Sequence, residues 1–548
     1  MIQKPTHLLF TIFFLFALLG CSLIPDVSTQ SLSTCNMSSA SLSQTPVTST
    51  SEIILPKEMR RANIIFILTD DMDAASLAYM PKAQKLLLNN GANFDNYLIN
   101  VSLCCPSRAT TLLGLYAHNS KILTNNRPNG GFATFQKLGY EKDNVATRMQ
   151  AAGYKTILLG KYLNGYPYPT WKKYIPPGWT EWYSPVEGDP YKEYNYALNE
   201  NKQIVRYGDK PENYLTDVLS IHAQDFISRT VKTGQPFFMY LAPYAPHGPA
   251  TPPARYMNAF SDTSYPQPPS FNELDVSDKP KYIQELKLLS EQDIITVNEF
   301  YRNQLQSLAA VDDMIEHLVI TLEAVGQLEN TYIFFTSDNG LHMGQHRLLV
   351  GKMSAYEEDI RVPMVVRGPG VIEGKLIQAL SGNIDLAPTF LDIAGIMSSE
   401  RMDGQSLLPL LAGKSEKLMW RDAYLIEHWE KGVVESESGL VPFDLGTLWD
   451  TERNLLEPPN VPSLDEEDAI SIPEYAGLRT QEYAYIEYVT GERELYDFAD
   501  DPYELNNLVS STNKKFLGQM SEWLACMRIC VGGNCRIFSQ QPAEMTSP

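Results

Sequence analysis

The sequence predicts an α/β protein with a doubly wound domain on a mixed, mostly parallel sheet. A smaller C-terminal subdomain built on an antiparallel sheet follows it. Three observations predict this. Continuous apolar runs of strand length each end in polar residues, as expected of strands buried on both faces. Helical stretches alternate with those runs. The tail reads differently: Ala484-Tyr485-Ile486-Glu487-Tyr488 and Glu494-Leu495-Tyr496-Asp497 look like short strands of an antiparallel sheet.

Taken in order, the first element is a targeting segment, residues 1–21. Lys4 and His7 precede an apolar run from Leu8 to Leu19. That run is short for a bilayer span and has the shape of a signal-peptide core. Leu18-Leu19-Gly20-Cys21 resembles a bacterial lipobox, which would leave Cys21 lipidated. A plain secretory signal with a chance cysteine is the alternative. Residues 22–55, rich in Ser and Thr, read as a flexible tether. The chain is thus expected to be exported and lipid-anchored to a bacterial membrane, or otherwise secreted or periplasmic.

The doubly wound domain is assigned to 56–415. Its first strand is Asn63 to Leu68, ending in Thr69-Asp70-Asp71. A second, Phe237 to Leu241, ends near Pro246-His247. A third, Tyr332 to Phe335, ends in Ser337-Asp338-Asn339-Gly340. Ile157-Leu158-Leu159-Gly160 reads as another strand end, followed by Lys161. Ligands bind at the carboxyl ends of strands in open α/β sheets, so these groups predict one shared site. A helix is expected from about Asn303 to Val325, where Leu305, Leu308, Ile315, Leu318 and Leu322 mark one apolar stripe. The subdomain is assigned to 416–548. Between Glu435 and Tyr475 lies an acidic, Pro-rich stretch, either a lid or an inert insertion.

The net charge of −21 repels polyanions at long range and argues against nucleic acid as a partner. An anionic substrate would have to be captured by a few basic groups in a pocket. Of the seven cysteines, Cys530 and Cys535 can close a small loop in an oxidising compartment. Cys104 and Cys105 are adjacent and need another explanation.

Cys104-Cys105-Pro106-Ser107-Arg108 is the most informative segment. Pro106 suits a first helical turn, which places Cys104 just before a helix whose free N–H groups attract an anion. The segment, with Gly114 some residues on, resembles the signature of the type I sulfatases. The resemblance continues through Asp70-Asp71, Gly160-Lys161-Tyr162, Ala245-Pro246-His247-Gly248-Pro249, Ser337-Asp338-Asn339-Gly340, Val350-Gly351-Lys352 and Asp385-Leu386-Ala387-Pro388-Thr389, in the family's order.

That resemblance implies an alkaline-phosphatase-like fold and a sulfuric ester hydrolase. It implies that Cys104 is oxidised to formylglycine by a formylglycine-generating enzyme. Asp70, Asp71, Asp338, Asn339 and residue 104 would bind the metal. Hard oxygen ligands suit Ca²⁺, with Mg²⁺ the alternative. Arg108, Lys161 and Lys352 would neutralise the sulfate. One hydroxyl of the hydrated aldehyde would attack sulfur, His247 or Lys352 would protonate the leaving alcohol, and the second hydroxyl would expel sulfate. Leu163 stands where many arylsulfatases have a histidine, so the proton-transfer network is expected to differ.

Tyr116-Ala117-His118-Asn119, Gly160-Lys161-Tyr162-Leu163-Asn164, Ile175-Pro176-Pro177-Gly178-Trp179, Leu341-His342-Met343-Gly344-Gln345 and the terminal Cys530–Cys535 loop are similar to the N-acetylglucosamine-6-sulfatase and heparan sulfatase branch. That likeness implies a sulfated glycan as substrate, cleaved at a 6-O-sulfated glucosamine unit, with Trp179 and His342 lining the substrate mouth. An aryl sulfate is the alternative substrate. Two rivals are a formylglycine-dependent phosphoester hydrolase and a tethered glycan-binding protein without turnover.

Overall fold

A computed structural model describes residues 61–167, 171–414, 419–430 and 471–546, together with backbone pairing at 435–436 and 439–440. The targeting segment, the tether, most of the acidic 435–475 stretch and the proposed domain boundary at 415/416 lie outside the described residues. No helix among the described residues is long and apolar enough to cross a membrane.

Asn63–Thr69 (β1) lies at the centre of a ten-stranded sheet. The other strands, in chain order, are Ala92–Phe94 (β2), Lys155–Gly160 (β3), Glu181–Gly188 (β4), Tyr196–Glu200 (β5), Gln203–Tyr207 (β6), Phe237–Ala242 (β7), Thr331–Ser337 (β8), Met364–Arg367 (β9) and Lys375–Ile377 (β10). Their spatial order is β10-β2-β9-β8-β1-β7-β3-β4-β5-β6. The run β8-β1-β7-β3-β4 is parallel throughout. Antiparallel pairs flank it, β9 with β8 and β2 on one side and β4-β5-β6 on the other.

The apolar run of β1 is continuous because both its faces are covered. Ile64, Phe66 and Leu68 point into one cluster, with Phe238, Tyr240, Phe334 and Phe390. The helices Cys104–Leu113 (α1), Val145–Ala151 (α2) and Leu386–Ile393 (α5) pack on that side. Ile65 and Ile67 point the other way, onto Leu215–Thr230 (α3) and Glu291–Ala324 (α4). These five apolar side chains are at most 1% exposed.

The long helix α4 begins twelve residues earlier than its apolar stripe predicts. Ser290 caps it, exchanging hydrogen bonds with Asp293. Its first turns bury Val297, Phe300 and Tyr301 against Leu341 and Met343 of a later loop, not against the sheet.

The second sheet is a four-stranded antiparallel meander of Ala423–His428 (β11), Tyr475–Thr480 (β12), Tyr483–Tyr488 (β13) and Arg493–Asp497 (β14). Lys514–Arg528 (α6) covers it through Phe516, Met520, Trp523 and Leu524. The same apolar cluster takes in Leu98, Tyr116, Tyr356 and Ile360, so the meander packs on the main body. Cys530 and Cys535 form a disulfide. The carbonyl of Cys530 accepts hydrogen bonds from the Asn119 amide (2.9 Å) and a ring nitrogen of His118 (3.0 Å).

Candidate active site

Four adjacent parallel strands end at one place. Thr69 of β1 pairs with Ser337 of β8, which sets Asp70 beside Asp338. Ala242 of β7 pairs with Gly160 of β3, so Lys161 follows on the other side. The turn after β7 brings in His247. Gly160 has φ 94°, and a Cβ there would meet the Ala242 carbonyl oxygen at 2.0 Å. Only glycine lets β3 release Lys161 at this angle.

Helix α1 supplies the fifth element. Cys104 is its first residue, where the sequence places it one position outside. Asn125 accepts the N–H of Cys105 at 2.8 Å, satisfying one free donor of the helix start. Gly114, in the left-handed region, closes the helix.

The side chains form one buried ionic cluster. The Lys161 ammonium donates to Asp70 at 2.5 Å. The Lys352 ammonium donates to Asp71 at 2.7 Å and lies 2.9 Å from the Cys104 sulfur. The Cys104 sulfur is 3.5 Å from Asp70. Arg108, fully buried, donates Nε–H to Asp338 at 2.8 Å and Nη1–H to the Lys161 carbonyl at 3.1 Å. Its Nη2 lies 3.8 Å from Asp70. His247 Nδ1 is 2.9 Å from the Gly248 carbonyl, which can only accept, so Nδ1 carries the proton. Its Nε2 faces Asp71 at 3.4 Å.

Burial alone would raise the Asp70 carboxyl, but Lys161, His247 and Arg108 hold it down at about 2. Asp71 is lowered in the same way by Lys352 and His247 against its burial. Burial works against both ammonium groups too, yet Asp70 and Asp71 keep Lys161 and Lys352 charged, with pKa raised well above the lysine range. The Cys104 thiol goes the opposite way: burial pushes it up more than Lys161 and Lys352 pull it down.

Asp70, Asp71, Cys104 and His247 each offer a ligand atom, all within 4.8 Å of one another. Asn339 donates its amide hydrogens to Asp71 (2.6 Å) and to Gly340 (2.9 Å), while its buried Oδ1 has no hydrogen-bond partner. An unpaired buried oxygen beside three carboxylates fits a hard divalent cation. Asp70, Asp71 and Asp338 balance Arg108, Lys161 and Lys352, so such a cation would leave the pocket positive and suited to an anion.

The other expected residues divide. His342 is buried next to this cluster, its Nδ1 2.9 Å from the Asp359 carboxylate. It pairs across a short ladder with Gly351, the residue before Lys352. Trp179 is a correction. It is a core residue, its ring stacked on Phe238 and set edge-on to Tyr240. Its surface is used in packing beneath the sheet, not at a substrate mouth. Sequence reasoning missed the aromatic wall of Tyr191 and Tyr244, whose ring centroids lie 5.0 and 5.9 Å from the Lys161 ammonium. It also missed Gln304, which lies near the Asp71 and Pro246 carbonyls. The available signal was a glutamine directly before Leu305 and Leu308 of the apolar stripe.

Residues 62–396 match the Sulfatase family model. This chain belongs to the sulfatase family. It is 35% identical over 504 residues to N-acetylglucosamine-6-sulfatase of Capra hircus, covering 88% of this chain and 86% of that one. It is 34% identical over 501 residues to the Homo sapiens protein of the same name, covering 87% and 86%. Among solved structures, one in complex with its substrate D-glucosamine-2-N,6-O-disulfate superposes with a TM-score of 0.68. That likeness covers 88% of this chain and all of that one at 23% identity. The fold is therefore the alkaline-phosphatase-like one of the sulfatases. This sulfatase is an enzyme that hydrolyses sulfate esters.

Proposed function

We propose that this sulfatase removes the 6-O-sulfate of a glucosamine unit in a glycan. The observation that carries the sugar assignment is the likeness to N-acetylglucosamine-6-sulfatases along 88% of the chain. The chemistry rests on the cluster at the strand ends. Cys104 kept as a thiol is a poor nucleophile there, because burial holds its proton. Its conversion to formylglycine by a formylglycine-generating enzyme would supply a hydrated aldehyde, one hydroxyl for attack on sulfur and one to expel sulfate.

Asp70, Asp71, Asp338 and Asn339 would hold Ca²⁺, which supplies fixed positive charge against the sulfate oxygens. Lys161 and Lys352 add charge from the two sides of residue 104, at positions set before substrate arrives. Arg108, behind the carboxylates, orients Asp338 and the Lys161 backbone. With Nδ1–H committed to Gly248, Nε2 of His247, which faces Asp71, is the atom that would give a proton to the leaving alcohol from the doubly protonated ring. Lys352 is the alternative donor, being 2.9 Å from the position-104 sulfur.

A broad arylsulfatase is the second reading. It is favoured by 31% identity over 519 residues to an arylsulfatase of Volvox carteri. Kinetics on N-acetylglucosamine 6-sulfate, galactose 6-sulfate and an activated aryl sulfate decide between them. No kcat/KM advantage of the glucosamine ester over the galactose ester would defeat the sugar assignment and leave the sulfatase intact.

Export and lipid anchoring through Cys21 complete the proposal. Similarity to extracellular sulfatase homologues, 39% over 377 residues in Caenorhabditis elegans, supports export. Cys21→Ser should release the protein from membranes or block its processing. Unchanged membrane fractionation would leave only the plain secretory signal.

A further inference from the structure

A second group of buried polar atoms lies away from residue 104, and the reaction does not use it. His346, Glu358 and Glu504 each bring one ligand atom within 4.8 Å of the others. His346 is 0% exposed and Glu504 1%. His346 Nε2, Glu358 Oε2 and Glu504 Oε1 are all buried with no hydrogen-bond partner. Three orphaned atoms in one small space are unusual, since each unpaired group keeps its full desolvation cost.

The histidine is arranged as a ligand would be. Its Nδ1 is 2.7 Å from the Glu273 carboxylate, which accepts, so Nδ1 holds the proton and Nε2 presents a lone pair. Metal-binding imidazoles are oriented in this manner, by a carboxylate on the far nitrogen. The ring is fixed by stacking on Tyr356 at 4.0 Å. Glu504 uses Oε2 to accept the N–H of Glu357 at 3.0 Å, which leaves Oε1 for another partner.

We propose that His346, Glu358 and Glu504 bind a second divalent metal of the zinc class, a structural ion separate from the catalytic one. One imidazole and two carboxylates form a mixed nitrogen and oxygen set, which suits zinc better than calcium. The three residues come from different parts of the chain. His346 lies in the loop between Asn339 and Lys352, Glu358 in the short helix Glu357–Ile360, and Glu504 beyond β14. An ion there joins the loop that delivers Lys352 to the C-terminal subdomain. Without one, burial raises both carboxyls, with Glu357 adding to the effect at Glu504. Bound protons are thus the competing way to neutralise the site.

The test uses the full-length protein, stripped with a chelator and then saturated with CaCl₂. ZnCl₂ is titrated by calorimetry, and metal is counted by mass spectrometry after dialysis. The expected result is one tightly held zinc per chain and a Tm raised by a few degrees. His346→Gln and Glu504→Gln should each lose that zinc while keeping calcium and a wild-type circular dichroism spectrum. Having two variants guards against either one failing to fold. Absence of a zinc equivalent in the wild type, or its retention in both variants, overturns the proposal and leaves protonated carboxyls in its place.

Discussion

Arg108 touches no solvent, and two of its donors are fixed on Asp338 and on the Lys161 carbonyl. On the proposed mechanism it would organise the carboxylates, whereas residue 104 and the two lysines would face the substrate. Cys104→Ala should therefore fold normally, as judged by circular dichroism and Tm, and lose essentially all turnover. Full activity in that variant would remove position 104 from the mechanism. Mass spectrometry of the peptide spanning it would detect the proposed aldehyde directly. Glu193 makes a different prediction. Its Oε2 accepts from the backbone and hydroxyl of Thr216 at the start of α3, and Oε1 is buried without a partner. Burial pushes its carboxyl up from 4.5 to about 8. The folded state binds this proton more tightly than the unfolded state does. The resulting stability is fully present below about pH 4.5 and is lost as pH rises through about 8. Glu193→Gln keeps the shape and removes the titration. Urea unfolding should show the wild type losing on the order of 2–4 kcal/mol against the variant between about pH 5 and 8. A pH-independent difference would mean that Glu193 is already ionised in the fold.

At the scale of elements, the short ladder before Lys352 sets the reach of its ammonium. Gly351 pairs with His342, and a Cβ at 351 would lie 2.8 Å from the His342 Nε2. Gly351→Ala should displace Lys352 and lower kcat/KM by on the order of 100-fold, with little change in Tm. Unaltered kinetics would show that the ladder does not position the lysine. The strand ends were legible in the sequence because a strand covered on both faces reads as an unbroken apolar run, and the residues after it stand out. This holds for Asp70, Lys161, His247 and Asp338. The start of α4 was not legible, because its first turns pack on Leu341 and Met343, and no local period encodes a loop forty residues away. Strands β4 to β6 escaped notice for a related reason. Their Tyr, Asn and Glu residues lie toward one end of the sheet and never form an apolar run. In the meander, β13 and β14 keep exposed or half-buried residues at or next to their ends, while β11 and β12 are buried along their whole length. Trp179 was misplaced because an aromatic residue near a glycine fits a sugar platform and a core equally well. Only its packing on Phe238 separates the two.

The whole molecule is acidic, at −21, around a pocket whose permanent cations are buried. The field felt at a distance is that of the surface, and the field felt at contact is that of the pocket. KM for a long, densely sulfated polymer should therefore fall as salt rises from about 0.01 to 0.15 M, where the screening length shrinks from about 30 to 8 Å. KM for a monosulfated sugar should change far less. Parallel salt curves for the two substrates would show that the acidic surface plays no part in selection.

Burial of Cys104 has a consequence in time. Its sulfur is covered by Lys352, 248 positions later in the chain, and by carboxylates that depend on β8 for their place. During synthesis at about 5–20 residues per second, this cover is missing for roughly 10–50 s after Cys104 is made. On the proposed formylglycine mechanism, an enzyme that must grip this sulfur would have that interval. Once β8 closes on β1 and Lys352 arrives, the thiol is sealed, and on the proposed formylglycine mechanism a molecule that missed its oxidation would stay inactive for as long as it stays folded.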